Sequence, residues 1–269
     1  MCAKVLIGRP MLATTAGGAT SMATTTSGRL PALPTADRNA FLILLGGVWI
    51  GVLSGFGTDS FNHVSRHGLD YPLIVHFHAV AFVGWLVLFT TQVSLIRLGR
   101  RDLHRRLGVA GAVLAAVMVV LGPATALVVH AQDYVTKGET PEFLAVQFTD
   151  ILAFASLTVA GLVLRNRSAA HKRLMLIGLI YISDAGFARF LNGPLASHFG
   201  PGFWGHWAAL YLGSDVLLLG LGAYDLLSLR RLHPAWLIGA AWAVTLQVTA
   251  LSLLPNPAWK ALTLHLIGH

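Results

Sequence analysis

The sequence predicts an all-α, polytopic integral membrane protein with seven transmembrane helices, its N-terminus cytoplasmic and its C-terminus external. Three observations carry this. Only 11% of the 269 residues are charged, less than half the share of a soluble domain. Hydrophobic residues make up 55% and the mean hydropathy is +0.68. The apolar residues are also gathered into long runs that match the roughly 20 helical residues needed to cross about 30 Å of hydrocarbon. These facts exclude a soluble globular enzyme, a disordered chain and a disulfide scaffold. Cys2 is the only cysteine, so no internal disulfide, thiolate cluster or redox pair is available.

The expected helices are Ala40–Gly57, Pro72–Ile96, Gly108–His130, Phe143–Leu164, Leu174–Asn192, Phe203–Leu227 and Ala235–Leu254. Lipid offers no partner for a free backbone group, so segments of this length are helices. Barrel strands would need only about 10 alternating residues.

Orientation follows from the basic residues. Lys4, Arg9, Arg29 and Arg38 precede the first helix. Arg97, Arg100, Arg101, Arg105 and Arg106 follow the second, Arg165, Arg167, Lys172 and Arg173 the fourth, and Arg230 and Arg231 the sixth. Only Arg66, Lys137 and Lys260 lie on the other side, with Arg189 inside a helix. This bias predicts a multi-pass protein of the inner membrane whose basic loops meet anionic lipid headgroups in the cytoplasm. The formal charge of +8 is then orientation, and no nucleic-acid partner is expected. The seventh helix has no lysine for a retinal Schiff base.

Residues 1–39 are expected to form a disordered Ala/Thr/Gly-rich tail, without the apolar core of a signal peptide. Residues 40–254 form the membrane domain. Residues 255–269 suggest a short interfacial helix, with Trp259 and Lys260 at headgroup level.

An internal repeat is visible. Arg100-x-x-x-His104-Arg105-Arg106-Leu107 matches Arg167-x-x-x-His171-Lys172-Arg173-Leu174. Each motif follows one long apolar helix and opens another, so residues 72–130 and 143–192 read as a duplicated hairpin. Binding sites of repeat-built transporters often lie between repeats.

Ionisable residues inside spans are costly and are functional candidates by default. His76 and His78 lie near the external start of the second helix, Asp150 about 10 Å into the fourth, and Arg189 and His206 near the external ends of the fifth and sixth. Asp184 and Asp215 fall near the midplane. His76 and His78 are about 200° apart around a helix, so only one, His78, is expected to face the interior. Arg189 is the expected partner of Asp150, as a structural pair or as an anchor for an anionic or quinone-like small molecule. Asp184 and Asp215 could relay protons or hydrogen-bond Tyr181 and Tyr211. His78, Asp150 and His206 together supply a nitrogen and oxygen donor set for a metal ion such as Zn, Cu or Fe. His104 and His171, flanked by basic residues, could hold haem b between facing helices or simply anchor their loops to headgroups.

The His76/His78 helix, Gly84, Arg100-x-x-x-His104 and the second His-Lys-Arg loop resemble transmembrane cytochrome b ascorbate and ferric reductases. They more closely resemble a family of uncharacterised bacterial multi-pass membrane proteins with paired His-Arg loops. The similarity spans roughly Tyr71–Asn192. It implies that His104 and His171 hold one haem b and that His78 or His76 serves a second. The repeat offset carries His76 to Phe143 and His78 to Ala145, so a second haem would need His130 or His206. The expected functions are therefore a b-type haem membrane redox protein or, alternatively, a proton-coupled small-molecule transporter or metal-binding membrane protein. No nucleophile motif, phosphate loop or dinucleotide fingerprint occurs.

Overall fold

A computed structural model describes residues 35–269, so the expectation for residues 1–34 lies outside the described residues. Helix α1 (Thr35–Val52) passes through a π-helical turn (Leu53–Gly57) into α2 (Thr58–His67). Next come α3 (Leu73–Arg97), α4 (Arg101–Lys137), α5 (Leu144–Val163, led by a 3-10 turn at Pro141–Phe143) and α6 (Ser168–Ile182). The chain ends with α7 (Asp184–Phe199), α8 (Phe203–Leu229), α9 (Pro234–Leu253) and α10 (Pro257–Leu266). No strand occurs among the described residues. Six helical segments are long and apolar enough to span a membrane, and α6 with α7 forms a seventh if that bent pair is one span.

The spans sit where the apolar runs placed them, with three differences. Asn39–His67 is one 29-residue segment, about 43 Å long, so the polar α2 projects beyond the hydrocarbon. Helix α4 has 37 residues, about 55 Å, and likewise overruns the bilayer at both ends. The expected fifth helix, Leu174–Asn192, is broken, with α6 and α7 meeting at Ser183 with a 45° bend.

The break has a local cause. Ser183 Oγ donates to the Ile180 carbonyl at 2.6 Å, and the Asp184 side chain accepts from the Ala185 N–H. These short bonds satisfy the backbone without a regular ladder. Ser and Asp are also the residue types that start helices, and Gly186 follows one turn on.

Helix α7 packs chiefly on α8, α5 on α6 and α9, α3 on α4, and α1 on α8. The core holds Trp85, Met118, Phe154, Leu157, Ile177, Leu221 and Leu246, with Trp85 edge-on to Phe154 at 5.2 Å. Small residues set the closest approaches, as expected between membrane helices. A Cβ on Gly186 would lie 2.8 Å from the Gly51 carbonyl oxygen and 2.9 Å from Val52 Cα. The ring of Phe187 fills the space that Cβ atoms on Gly51 and Gly213 would need. The outward faces are valine-rich, with Val80, Val83 and Val87 on α3 and Val109, Val113, Val117 and Val120 on α4 all exposed. In water this would be a large unpaired apolar patch; against acyl chains it needs no cover.

The C-terminal segment forms the short helix α10, pinned by Trp259 Nε1 on the Glu142 carbonyl (2.9 Å) and by a Lys260–Glu142 ion pair (2.8 Å).

Candidate functional site

The break at Ser183 brings three buried carboxylates together. Asp150 of α5, Asp184 at the start of α7 and Asp215 of α8 are 7%, 2% and 9% exposed. The Asp150 and Asp184 carboxyl groups are close neighbours in this buried centre. Asp150 Oδ1, Asp184 Oδ2 and the Tyr181 and Tyr211 hydroxyls are buried with no hydrogen-bond partner among the described residues. The rings of Tyr181 and Tyr211 flank this centre at 6.2 Å from one another.

Asp215 is held from the other side. Gln247 Nε2 donates to its Oδ1 at 2.8 Å, and Trp207 Nε1 donates to Gln247 Oε1 at 3.2 Å. This chain fixes the amide, since its oxygen faces Trp207 and its nitrogen faces the carboxylate. Gln247 is 1% exposed and was not anticipated; a lone glutamine inside the last apolar run was the available signal. Tyr181, Ser214 and Asp215 line a crevice with Ile177, Ile180 and Leu218 that is too tight for a water molecule.

Arg189 does not pair with Asp150 as expected. It lies one and a half turns along α7 from Asp184. Its Nη1 donates to the Ala185 carbonyl (2.8 Å), its guanidinium lies 4.1 Å from the centre of the Phe56 ring, and its Nε is 3.5 Å from Asp59 Oδ2. Asp59 was missed because α2 reads as loop once the apolar run ends.

The histidines are more dispersed than the sequence suggested. His78 stacks on Phe82 at 4.0 Å, with Nδ1 buried and unpartnered among the described residues. His76 turns away, its Nδ1 3.3 Å from the Pro72 carbonyl. His206 is exposed and bonds the Gly202 carbonyl at 2.7 Å. His130 bonds Gln147 at 3.0 Å. The expected trio of His78, Asp150 and His206 therefore does not assemble, and no three His, Cys, Asp or Glu side chains among the described residues form a group that could hold a metal ion. Each His is committed to a carbonyl, amide or ring on its own side of the bundle. Between α2 and α3, His63 bonds Asp70 at 2.7 Å, and that contact holds the Asp70 carboxyl below its ordinary range.

His104 and His171 do come together. Their ring centres are 6.3 Å apart with planes at 85°. His171 Nδ1 is 2.8 Å from the Gly161 carbonyl near the end of α5; His104 Nδ1 is buried and unpartnered among the described residues. Two rings each bonded through one nitrogen to a shared first-row metal, at about 2 Å, have centres roughly 6 Å apart. The ring spacing matches that of two histidines on one metal, and a carbonyl on the far nitrogen is the usual support of a ligating histidine.

Arg173, grouped by sequence with the basic loop residues, is instead buried. It is 2% exposed and closes a bidentate pair with the fully buried Asp225 of α8.

These features define a multi-pass helical membrane protein with a closed carboxylate centre at a broken span. No family model matches the chain, and no curated protein or solved structure is detectably similar to it.

Proposed function

We propose that this chain is a proton-coupled small-molecule transporter of the inner membrane, its basic loops cytoplasmic. The observation that carries the reading is the carboxyl–carboxyl contact of Asp150 and Asp184 at the break between α6 and α7. Irregular backbone at membrane depth is tolerated where it lines a site or is buried in protein, and discontinuous helices carry the coupling-ion sites of many secondary transporters. An ionised carboxylate only accepts hydrogen bonds, so two neighbouring buried carboxyls, each with an oxygen that no donor reaches, are satisfied by a proton held between them. In this reading the pair is where one proton would reside and be exchanged, with Asp215 the next carboxylate on the adjoining helix. The Trp207–Gln247 chain holds Asp215 in place, and the tight packing around Tyr181 excludes water from the centre. The test is solute uptake driven by an imposed proton gradient in vesicles holding the full chain. Asp150→Asn and Asp184→Asn should each abolish uptake while the protein still folds.

A second reading rests on a separate observation, the facing rings of His104 and His171. These two residues would hold haem b, with Arg105 and Arg106 on the same helix as His104 as basic groups for its propionates. The haem would supply one-electron transfer. The protein's own part is to fix the ligating nitrogen of His171 through the Gly161 carbonyl.

A further inference from the structure

A groove of about 480 Å3 opens between the π-helical turn, α2 and α7. That volume is within the range of small-molecule sites. Ser54, Thr58, Asp59, Asn62, Arg189 and Phe190 line it. Ser54, Thr58 and Asn62 recur at four-residue intervals, so hydroxyl and amide groups form one face along the groove. Its floor is rigid, because Gly55 sits directly on the Gly186 backbone and any Cβ there would collide with the carbonyl. A π-helical turn at such a floor is a common mark of a functional site.

The charges face the groove. The Arg189 and Asp59 side chains are 42% and 62% exposed, and their closest approach of 3.5 Å is longer than an N–H···O hydrogen bond. The ion pair is therefore aligned without being closed. Arg189 is held in place by the Phe56 ring and the Ala185 carbonyl, leaving the rest of its fork toward the opening. A simple carboxylate entering here would meet Asp59, and a simple amine would meet Arg189; each leaves one like-charge contact. A molecule carrying both groups meets neither penalty. Its carboxylate would take the guanidinium and its ammonium the Asp59 carboxylate, both in charge-assisted bonds.

We propose that this groove binds small amino-carboxylate zwitterions, with Arg189 and Asp59 as the two anchors. Resting on the transporter reading, it names the substrate class of that site. Arg189 is five residues, about 7.5 Å, along α7 from Asp184, so the groove and the proton site share one helix.

The test is calorimetric titration of the purified full chain with alanine and with its two half-charged analogues, propionate and ethylammonium, at equal ionic strength. Alanine should bind at least tenfold tighter than either analogue. Arg189→Gln and Asp59→Asn should each weaken alanine at least tenfold with unchanged thermal unfolding. Absent alanine binding, equal binding of propionate or ethylammonium, or alanine binding that survives both substitutions would overturn the proposal. Proton movement in vesicles carrying Asp184→Asn is scored separately. If that substitution stops proton movement while alanine does not bind, the groove assignment fails and the transporter reading stands.

Discussion

Arg173 and Asp225 form the most deeply buried ion pair among the described residues: Nε lies 3.0 and 2.9 Å from the two carboxylate oxygens, Nη2 closes the second arm, and the side chains are 2% and 0% exposed. Nη1 is taken by the Ala169 carbonyl at 2.7 Å, and Asp225 Oδ2 also accepts the His233 N–H at 3.1 Å. The pair thus ties α6 to α8 and to the turn before α9. Removing one member leaves a buried uncompensated charge, at about 3–5 kcal/mol. Asp225→Ala should therefore destabilise the detergent-solubilised protein by that amount in a chemical unfolding titration. The apolar double replacement Arg173→Met with Asp225→Leu should recover most of the loss.

His233 gives a pH-dependent contribution. Its Nδ1 accepts the Ala235 N–H at 3.0 Å, capping α9, so the cap needs the neutral imidazole. Burial, then the nearby Arg173 charge, pushes its pKa below the ordinary 6.5. A base with a depressed folded pKa contributes fully above its unfolded value and loses that contribution as pH falls below it. Thermal stability should fall on acidification below about pH 6.5 by the worth of a cap, about 0.5–2 kcal/mol at most. His233→Ser, which caps at any pH, should flatten that part of the profile.

The crossing of the first span with α7 depends on two glycines. Gly186→Ala drives a methyl into the Gly51–Val52 backbone, and overpacking of this kind costs about 1–3 kcal/mol. Gly57→Ala, two residues beyond Gly55, meets nothing within 4 Å. Size-exclusion and unfolding profiles should show Gly186→Ala destabilised and Gly57→Ala close to wild type.

The spans were legible because lipid forces each into one form, an apolar helix of bilayer length. Asp150, Asp184 and Asp215 stood out for a related reason, as charges in an otherwise apolar chain. What hydropathy could not show was local backbone chemistry or partner choice. Ser183 and Asp184 end α6 through bonds to their own backbone, within a run that is apolar enough to pass as continuous. Arg173 sits in a basic motif, so its sequence context suggested headgroups although its side chain reaches Asp225, 52 residues away. Arg189 faces Asp59 instead of Asp150 because the π-helical turn packs on α7 and leads directly into α2, a geometry with no linear signature. Asp150 meets Asp184 because the 45° break turns the start of α7 toward α5.

The His104–His171 pair makes a spectroscopic prediction. If it holds haem b, protein purified from haem-replete cells shows a Soret band, and His171→Ala and His104→Ala each abolish it. Protein without Soret absorbance removes the haem reading and leaves the carboxylate centre untouched.

The central claim is that a proton moves through the Asp150–Asp184 contact. The most direct measurement is lumenal pH, followed by an entrapped dye, in potential-clamped vesicles carrying the full chain with a mixture of amino acids, carboxylates and amines on both sides. Wild type should dissipate an imposed pH gradient faster than protein-free vesicles, and folded Asp184→Asn and Asp150→Asn proteins should fall to the protein-free rate. Wild-type proton movement in either folded variant would contradict it.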